Sequence, residues 1–225
     1  PKFVAVSIGI SMLILVVEST IYRISQRDIL KIAVLGSGTN AAVVVSHNGS
    51  VDIIDMTGGN KSVDYVSKYI KGSGFNEINT LCIVNRPYQG MTAYDEMLKL
   101  EKVNNVIMPS GTYLLDGVKI CGNEVMMSDY DGMNISYDNY KIDFYNTDCI
   151  EIKYNDFTFK CFNGETDSDA TVCVNYGKYV KQNFNCAYLV ILDVVDENIF
   201  DNTTFIGENN LLFEVDFDGN IKVRR

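Results

Sequence analysis

VLGSGTNAAVVVSHNGSVDIIDMTGG, residues 34–59, supports two incompatible readings. Gly36-Ser37-Gly38-Thr39-Asn40-Ala41 comes after an apolar run and matches the G-x-G-x-x-A phosphate-binding fingerprint, and Asp55 lies 19 residues beyond Gly36, near the distance of a ribose-binding acid. A dinucleotide site needs a helix whose N-terminus faces the pyrophosphate. The chain instead continues into Val43-Val44-Val45, three β-branched residues that disfavour such a helix, and then Asn48-Gly49. Asn-Gly between two β-branched runs is a strong hairpin signal, because both central residues of a type I′ turn need positive φ. The favoured reading is therefore a tight turn between strands at Gly36–Asn40 and a hairpin over residues 41–55.

Working outward, residues 32–35 read as a short strand. Residues 62–71 put Val63, Val66 and Ile70 on one helical face, and Gly72-Ser73-Gly74 stops that helix. Residues 80–84 are the next strand, 92–100 the next helix, and 105–108 a strand ended by Pro109. The second half alternates with period two: Ile150, Ile152 and Tyr154; Phe157, Phe159 and Cys161; Val172 and Val174; then residues 188–192, 211–215 and 221–223, with Asp218-Gly219 as the last hairpin turn. Helices set among many strands, with hairpins toward both ends of the chain, predict an α/β sandwich of two mixed sheets faced by helices. A doubly wound parallel sheet would not need so many strands in its second half.

The chain has 225 residues, 47% of them apolar, enough for one sizeable core. Acidic residues outnumber basic ones by 29 to 19, which disfavours a broad nucleic-acid footprint, since phosphate binding exchanges counterions for Lys and Arg. The six cysteines form no C-x-x-C pair and fall mostly in apolar runs, where Cys acts as a small hydrophobe; bridges are open to them in an oxidising compartment. Residues 3–17, FVAVSIGISMLILVV, carry no charge and are apolar all round, so residues 1–28 are expected to hold a transmembrane helix and a short linker, and residues 29–225 the folded domain. Lys2 on one side and Arg23, Arg27 and Lys31 on the other leave its orientation open.

Two further features bear on chemistry. His47, the only histidine, is expected as an exposed turn residue beside Asn48-Gly49, and one imidazole cannot build a His-rich zinc site. Asp55 and Glu165 each stand at a strand end just before a loop, where they either order the turn or converge on a hard cation. An enzyme reading would rest on Gly36–Asn40 as a dinucleotide cradle or on the Asp55 and Glu165 pair as a weak metal site.

Segment by segment, residues 31–225 resemble the C-terminal metallo-β-lactamase-like domain of the ComEC family, membrane channel proteins for DNA uptake in natural competence. VLGSGTNAAVVV stands where that family has a strand and a D-V-G-Q-G-D turn, with Gly36 and Gly38 kept and Val34 and Thr39 at the acidic positions. NGSVDIIDMTGG resembles its n-G-k-x-i-l-I-D-t-G-G hairpin, with Asp55, Gly58 and Gly59 in place. NTDCIEIKYNDFTFKCFNGETD is similar to its later double strand, with Gly164 kept and Glu165 at an Asp position, and FEVDFDGNIKVRR resembles its closing hairpin.

The resemblance implies a metallo-β-lactamase-like αββα sandwich. Residues 79–84 lead toward the place of the family's T-H-x-H-x-D-H metal loop, where this chain has Asn85, Pro87, Gln89 and Gly90, none of them a usable zinc ligand. With one histidine, zinc-activated water is not expected, so the domain reads as a pseudoenzyme with no catalytic residues, no metal and no cofactor. Asp55, Asn85, Pro87, Gln89, Gly90 and Glu165 would form its degenerate site face. The resemblance further implies a bacterial cell membrane, the domain on the extracytoplasmic side, contact with the channel part of the same protein, and single-stranded DNA as an indirect partner only.

Overall fold

A computed structural model describes residues 10–18, 20, 28–38, 40–75, 77–85, 94, 102–109, 124–128, 130–164, 169–177, 185–193, 204–206 and 210–225. Its strands are β1 (Leu30–Ser37), β2 (Asn40–His47), β3 (Ser50–Asp55), β4 (Glu77–Ile83), β5 (Lys102–Pro109), β6 (Glu124–Ser128), β7 (Asn134–Ser136), β8 (Lys141–Asn146), β9 (Cys149–Tyr154), β10 (Phe157–Phe162), β11 (Val172–Asn175), β12 (Tyr188–Ile191), β13 (Thr204–Ile206), β14 (Asn210–Val215) and β15 (Ile221–Arg224), with helix α1 (Asn60–Ser73) between β3 and β4.

The strands form two mixed sheets. The first runs β15-β14-β1-β2-β3-β4-β5-β6, so the last two strands of the chain complete the sheet begun by the first. Its pairs are antiparallel as far as β3 and parallel from β3 to β6. The second runs β13-β12-β11-β10-β9-β8-β7, parallel from β10 to β13 and antiparallel from β7 to β10.

Alternation along each strand builds the layers. Ile32, Val34, Val43, Val45 and Ile54 of the first sheet join Ile142, Ile152, Phe159 and Val174 of the second in one buried cluster, so the sheets pack face to face. The intervening residues Ala33, Leu35, Val51 and Ile53 turn the other way and meet Val63, Val66 and Ile70 of α1. Each of those three helical side chains is at most 6% exposed, worth roughly 1.5–3 kcal/mol apiece relative to an exposed position. The α/β sandwich of two mixed sheets is thus present, with α1 covering the outer face of the first sheet.

The ambiguous opening stretch resolves as two successive hairpins. Ser37 pairs with Asn40 and His47 with Ser50. At Asn48 and Gly49 φ is 51° and 86°, the left-handed pair that a type I′ turn requires. Gly36 has φ 135°, and a Cβ there would lie 2.0 Å from the Asn40 carbonyl oxygen, so the glycine serves chain reversal. The segment after Gly36–Asn40 is strand β2, which removes the helix N-terminus that the dinucleotide reading required. Helix α1 outruns its expected span and passes through Gly72 and Ser73, ending at Gly74 in the left-handed conformation (φ 71°). The helix expected over residues 92–100 lies outside the described residues except for Tyr94, which is helical.

The membrane-spanning helix expected within residues 1–28 finds no support among the described residues. Residues 10–18 are helical, but no helix among the described residues is long and apolar enough to cross a membrane. Most of the remainder of residues 1–28 lies outside the described residues. The stretch does not enter the core either, for Leu13, Leu15 and Val17 are 66%, 64% and 48% exposed.

Candidate functional site

Period two on β3 decides where its acids point. Asp52 and Ile54 face the space between the sheets, whereas Val51, Ile53 and Asp55 face the helix layer. Asp55 is the last residue of β3, 1% exposed, and its main-chain oxygen accepts from Val84 N at 2.9 Å on the neighbouring strand segment. Beyond it the chain turns through Met56 to Gly59 and enters α1.

The Asp55 carboxylate organises that turn. Its Oδ1 accepts from the main-chain N–H of Thr57 (3.0 Å) and of Gly58 (2.9 Å), and its Oδ2 accepts from the Ser62 hydroxyl (2.7 Å) and from the Tyr94 hydroxyl. A carboxylate offers about four lone-pair sites, and each here meets a donor of the chain itself. The N-cap residue of α1 is Gly59, which has no side chain to cap with, and no acidic residue occupies the first helical turn. Asp55 supplies the negative charge that this helix end favours. Burial raises the Asp55 pKa above its ordinary value, and the donors from Tyr94, Ser62, Gly58 and Thr57 oppose that rise. The Tyr94 hydroxyl is pushed well up by burial and by the Asp55 charge, so it remains a donor.

Asn85 lies just past β4 at the same end of the sandwich. Its amide nitrogen donates to Met56 O (2.5 Å) on the first sheet and to Thr147 O (3.2 Å), in the turn between β8 and β9, on the second. The side chain ties the two sheets together where the resemblance would place a metal ligand. Pro87, Gln89, Gly90 and Glu165 lie outside the described residues. The chain just before Glu165 is placed: Gly164 N reaches Asn175 Oδ1 at 3.4 Å, and Asn175 also accepts from Gly177 N at 2.9 Å. Gly38 N donates to Leu192 O at 2.6 Å, which brings the first hairpin to this same end. Asp55, Asn85 and the approach to Glu165 therefore share one end of the molecule, but Asp55 is directed away from the space between the sheets.

A zinc ion does not fit the described part of this end. Asp55 would have to give up Ser62 and Tyr94, Asn85 offers an amide already spent on two carbonyls, and a carboxamide nitrogen is not a zinc ligand. Among the described residues no three of His, Cys, Asp and Glu gather in metal-binding proximity.

His47 departs from its expected place. It ends β2 with its ring buried on the core face, 5.8 Å from Tyr140 and 5.6 Å from Tyr154 between ring centroids, and its Nε2 has no hydrogen-bond partner. Burial lowers its pKa, with Asp28 pulling the other way, so the imidazole is neutral. The structure also reveals a second buried carboxylate that sequence reasoning passed over. Asp52, 0% exposed, accepts from the hydroxyls of Tyr137 (2.7 Å) and Tyr140 (2.5 Å) and from Asn79 Nδ2 (3.1 Å), and the two tyrosine rings stack at 4.5 Å. The available signal was an acid in the middle of an otherwise apolar strand, which must find partners when buried.

The fold and this end of it define a class, an α/β sandwich of two mixed sheets in which one strand-end carboxylate anchors the strand-to-helix turn. Comparison with known proteins adds no narrower one: no protein-family model matches the chain, and no curated protein matches it.

Proposed function

We propose that the chain is a non-catalytic domain of metallo-β-lactamase-like arrangement, tethered to a bacterial cell membrane on its extracytoplasmic side, and part of a ComEC-type DNA-uptake channel protein. The observation that carries the non-catalytic part is the Asp55 carboxylate, 1% exposed, with donors from Thr57, Gly58, Ser62 and Tyr94 filling its acceptor positions. A hydrolase of this arrangement needs its strand-end acids open to metal or water at the mouth between the sheets. Here the acid is committed to the helix layer.

The family reading draws support from the two facing mixed sheets, from the return of β14 and β15 to the first sheet, and from the turn at Asp55-Met56-Thr57-Gly58-Gly59 that opens α1. The tether reading draws support from the uncharged residues 3–17 and from the exposure of apolar residues 10 and 12–17. An apolar helix exposed on all sides lacks the polar face of a surface helix and calls for an apolar surrounding. The chain enters the sandwich at Asp28, whose N–H donates to Asn48 Oδ1 (3.1 Å) and whose carbonyl accepts from the Tyr154 hydroxyl. Asn48 marks the end of the sandwich opposite Asp55, so the six residues of β3, about 20 Å of strand, separate the tethered end from the degenerate site face. The domain then acts by protein contact with the channel, with single-stranded DNA only an indirect partner.

The test is incubation of the purified chain with single-stranded DNA in Mn²⁺, with thermal shift in NAD and nucleotides alongside. No cleavage above a heat-killed control and no stabilisation are expected. Cleavage, or a shift of several degrees with any nucleotide, would instead favour an enzyme.

A further inference from the structure

We infer that the free edge of β15 is a docking site for an extended protein segment that carries acidic residues at alternate positions and adds to the first sheet as a further strand. β15 ends the order of that sheet and pairs with β14, and among the described residues no strand lies beyond it. An unpaired edge presents main-chain N–H and C=O groups that an incoming strand can bond.

The register says which groups those are. Asp216 N donates to Asn220 O (3.2 Å) at the base of the last hairpin, which makes Asp216 and Asn220 a hydrogen-bonded pair. Such pairs alternate with non-bonded ones along an antiparallel ladder, so Glu214 with Lys222 and Leu212 with Arg224 are bonded pairs as well. Ile221 and Val223 therefore aim their N–H and C=O groups away from β14, toward the open edge.

Side chains give the edge its sign. On the face that carries α1, one row of partners runs from Lys31 on β1 through Glu214 on β14 to Lys222 on β15. Lys31 Nζ lies 3.8 Å from Glu214 Oε1 and Arg224 Nη2 lies 2.8 Å from Oε2, so both oxygens of that acid are engaged. Lys222 is exposed, and among the described residues no carboxylate pairs with it. The row alternates cation, anion, cation, and an acid on the next strand continues it. A second acid two residues along meets Arg224, which is also exposed. In a chain of formal net charge −10, residues 221–225 hold three basic side chains and no acidic one.

The opposite face sets the positions in between. Ile221 and Val223 are partly buried against the core between the sheets, so apolar residues between the acids extend that cover. A second copy of the chain fits poorly. Like faces must match when strands pair, and the registers of β15 with itself nearest to full overlap, centred on Lys222 or on Val223, set Lys222 opposite Lys222 or opposite Arg224. The repulsion turns the edge toward a different, acidic strand.

The test is an NMR titration of the isotope-labelled full chain with a blocked peptide of about six residues that alternates Glu and Val. At about 1 mM it is expected to shift the amides of β15 and β14 and to slow hydrogen exchange at Ile221 and Val223. A Lys and Val peptide should bind about tenfold more weakly. N-methylation of the alternate peptide amides that face β15 should abolish binding, and methylation of the other set should leave it. Lys222→Glu should reverse the preference between the two peptides. Val223→Pro removes an outward N–H and no bond to β14, which an edge strand tolerates, and should weaken the Glu and Val peptide about tenfold. No shift at about 1 mM, shifts centred away from β15, equal binding of the two peptides, or the same response to both methylated sets would each overturn the inference. Tighter binding of an oligothymidylate at β15 would overturn it too, in favour of a phosphate site. None of these outcomes depends on the channel assignment.

Discussion

Asp52 and Asp55 stand three residues apart on β3, both essentially inaccessible, and they solve the same physical problem on opposite faces of one sheet. Asp52 turns inward and takes two donors from a distant part of the chain, Tyr137 and Tyr140 in the turn between β7 and β8, and a third from Asn79 on β4. Asp55 turns outward and takes two donors from Thr57 and Gly58 in the turn just beyond it, a third from α1 and a fourth from Tyr94. The inner cluster joins the sheets, and the outer one starts a helix. An acid at a strand end can thus be a folding element that starts a helix.

The largest effect is expected from Asp55→Ala, which strands the Thr57 and Gly58 N–H groups and the Tyr94 hydroxyl at a buried turn, while Ser62 keeps the Gly59 carbonyl (2.7 Å), and should cost about 3–5 kcal/mol in urea unfolding. Residues kept for catalysis commonly cost little stability, or gain some, when replaced. A loss under about 1 kcal/mol would therefore return Asp55 to the functional candidates. Tyr140→Phe removes a single donor from the inner cluster and leaves Tyr137 and Asn79 on Asp52. It should cost about 1.5–3 kcal/mol, less than the Asp55 change; the reverse order would mean that the sheet junction outweighs the helix start.

A smaller effect comes with pH. Burial holds His47 below its ordinary pKa of 6.5, so the unfolded chain takes up a proton at higher pH than the folded one does. Stability is unaffected by His47 above that value and falls as pH drops below it, until the folded-state pKa is passed. The groups facing the ring are Asp28, Tyr140 and Tyr154. As the chain has one histidine, proton NMR of the imidazole reads the folded pKa directly. A value at or above the ordinary 6.5, or an unchanged pH slope in His47→Gln, would place the ring in water.

Much of this arrangement was legible in local sequence. Asn48-Gly49 fixed its hairpin, and the alternation at Phe157, Phe159 and Cys161 marked β10, because turn chemistry and a two-residue period act within a few residues. Strands β6, β7, β8 and β13 escaped notice: Glu124–Ser128 has little β-branched content, and Asn134–Ser136 and Thr204–Ile206 are only three residues long. The parallel direction of the run from β10 to β13 was silent: the alternation at Val172 and Val174 marked a strand but carried no strand direction, and Val172–Asn175 is buried on both faces. His47 was misplaced for a related reason. Its turn neighbours suggested water, but the period carried by Val43 and Val45 puts His47 on the core face. The role of Asp55 needed Ser62 and Tyr94, seven and 39 residues away, and no local pattern announces such donors.

The most direct measurement is the metal content of the protein after saturation with Zn²⁺ and exhaustive dialysis, compared between the wild type and Asp55→Asn. The expected result is zinc far below one equivalent in both proteins, with no metal-dependent change in melting temperature. One equivalent of zinc in the wild type, lost in Asp55→Asn, would contradict the assignment of that carboxylate to the turn and restore a metal centre at this end of the sandwich.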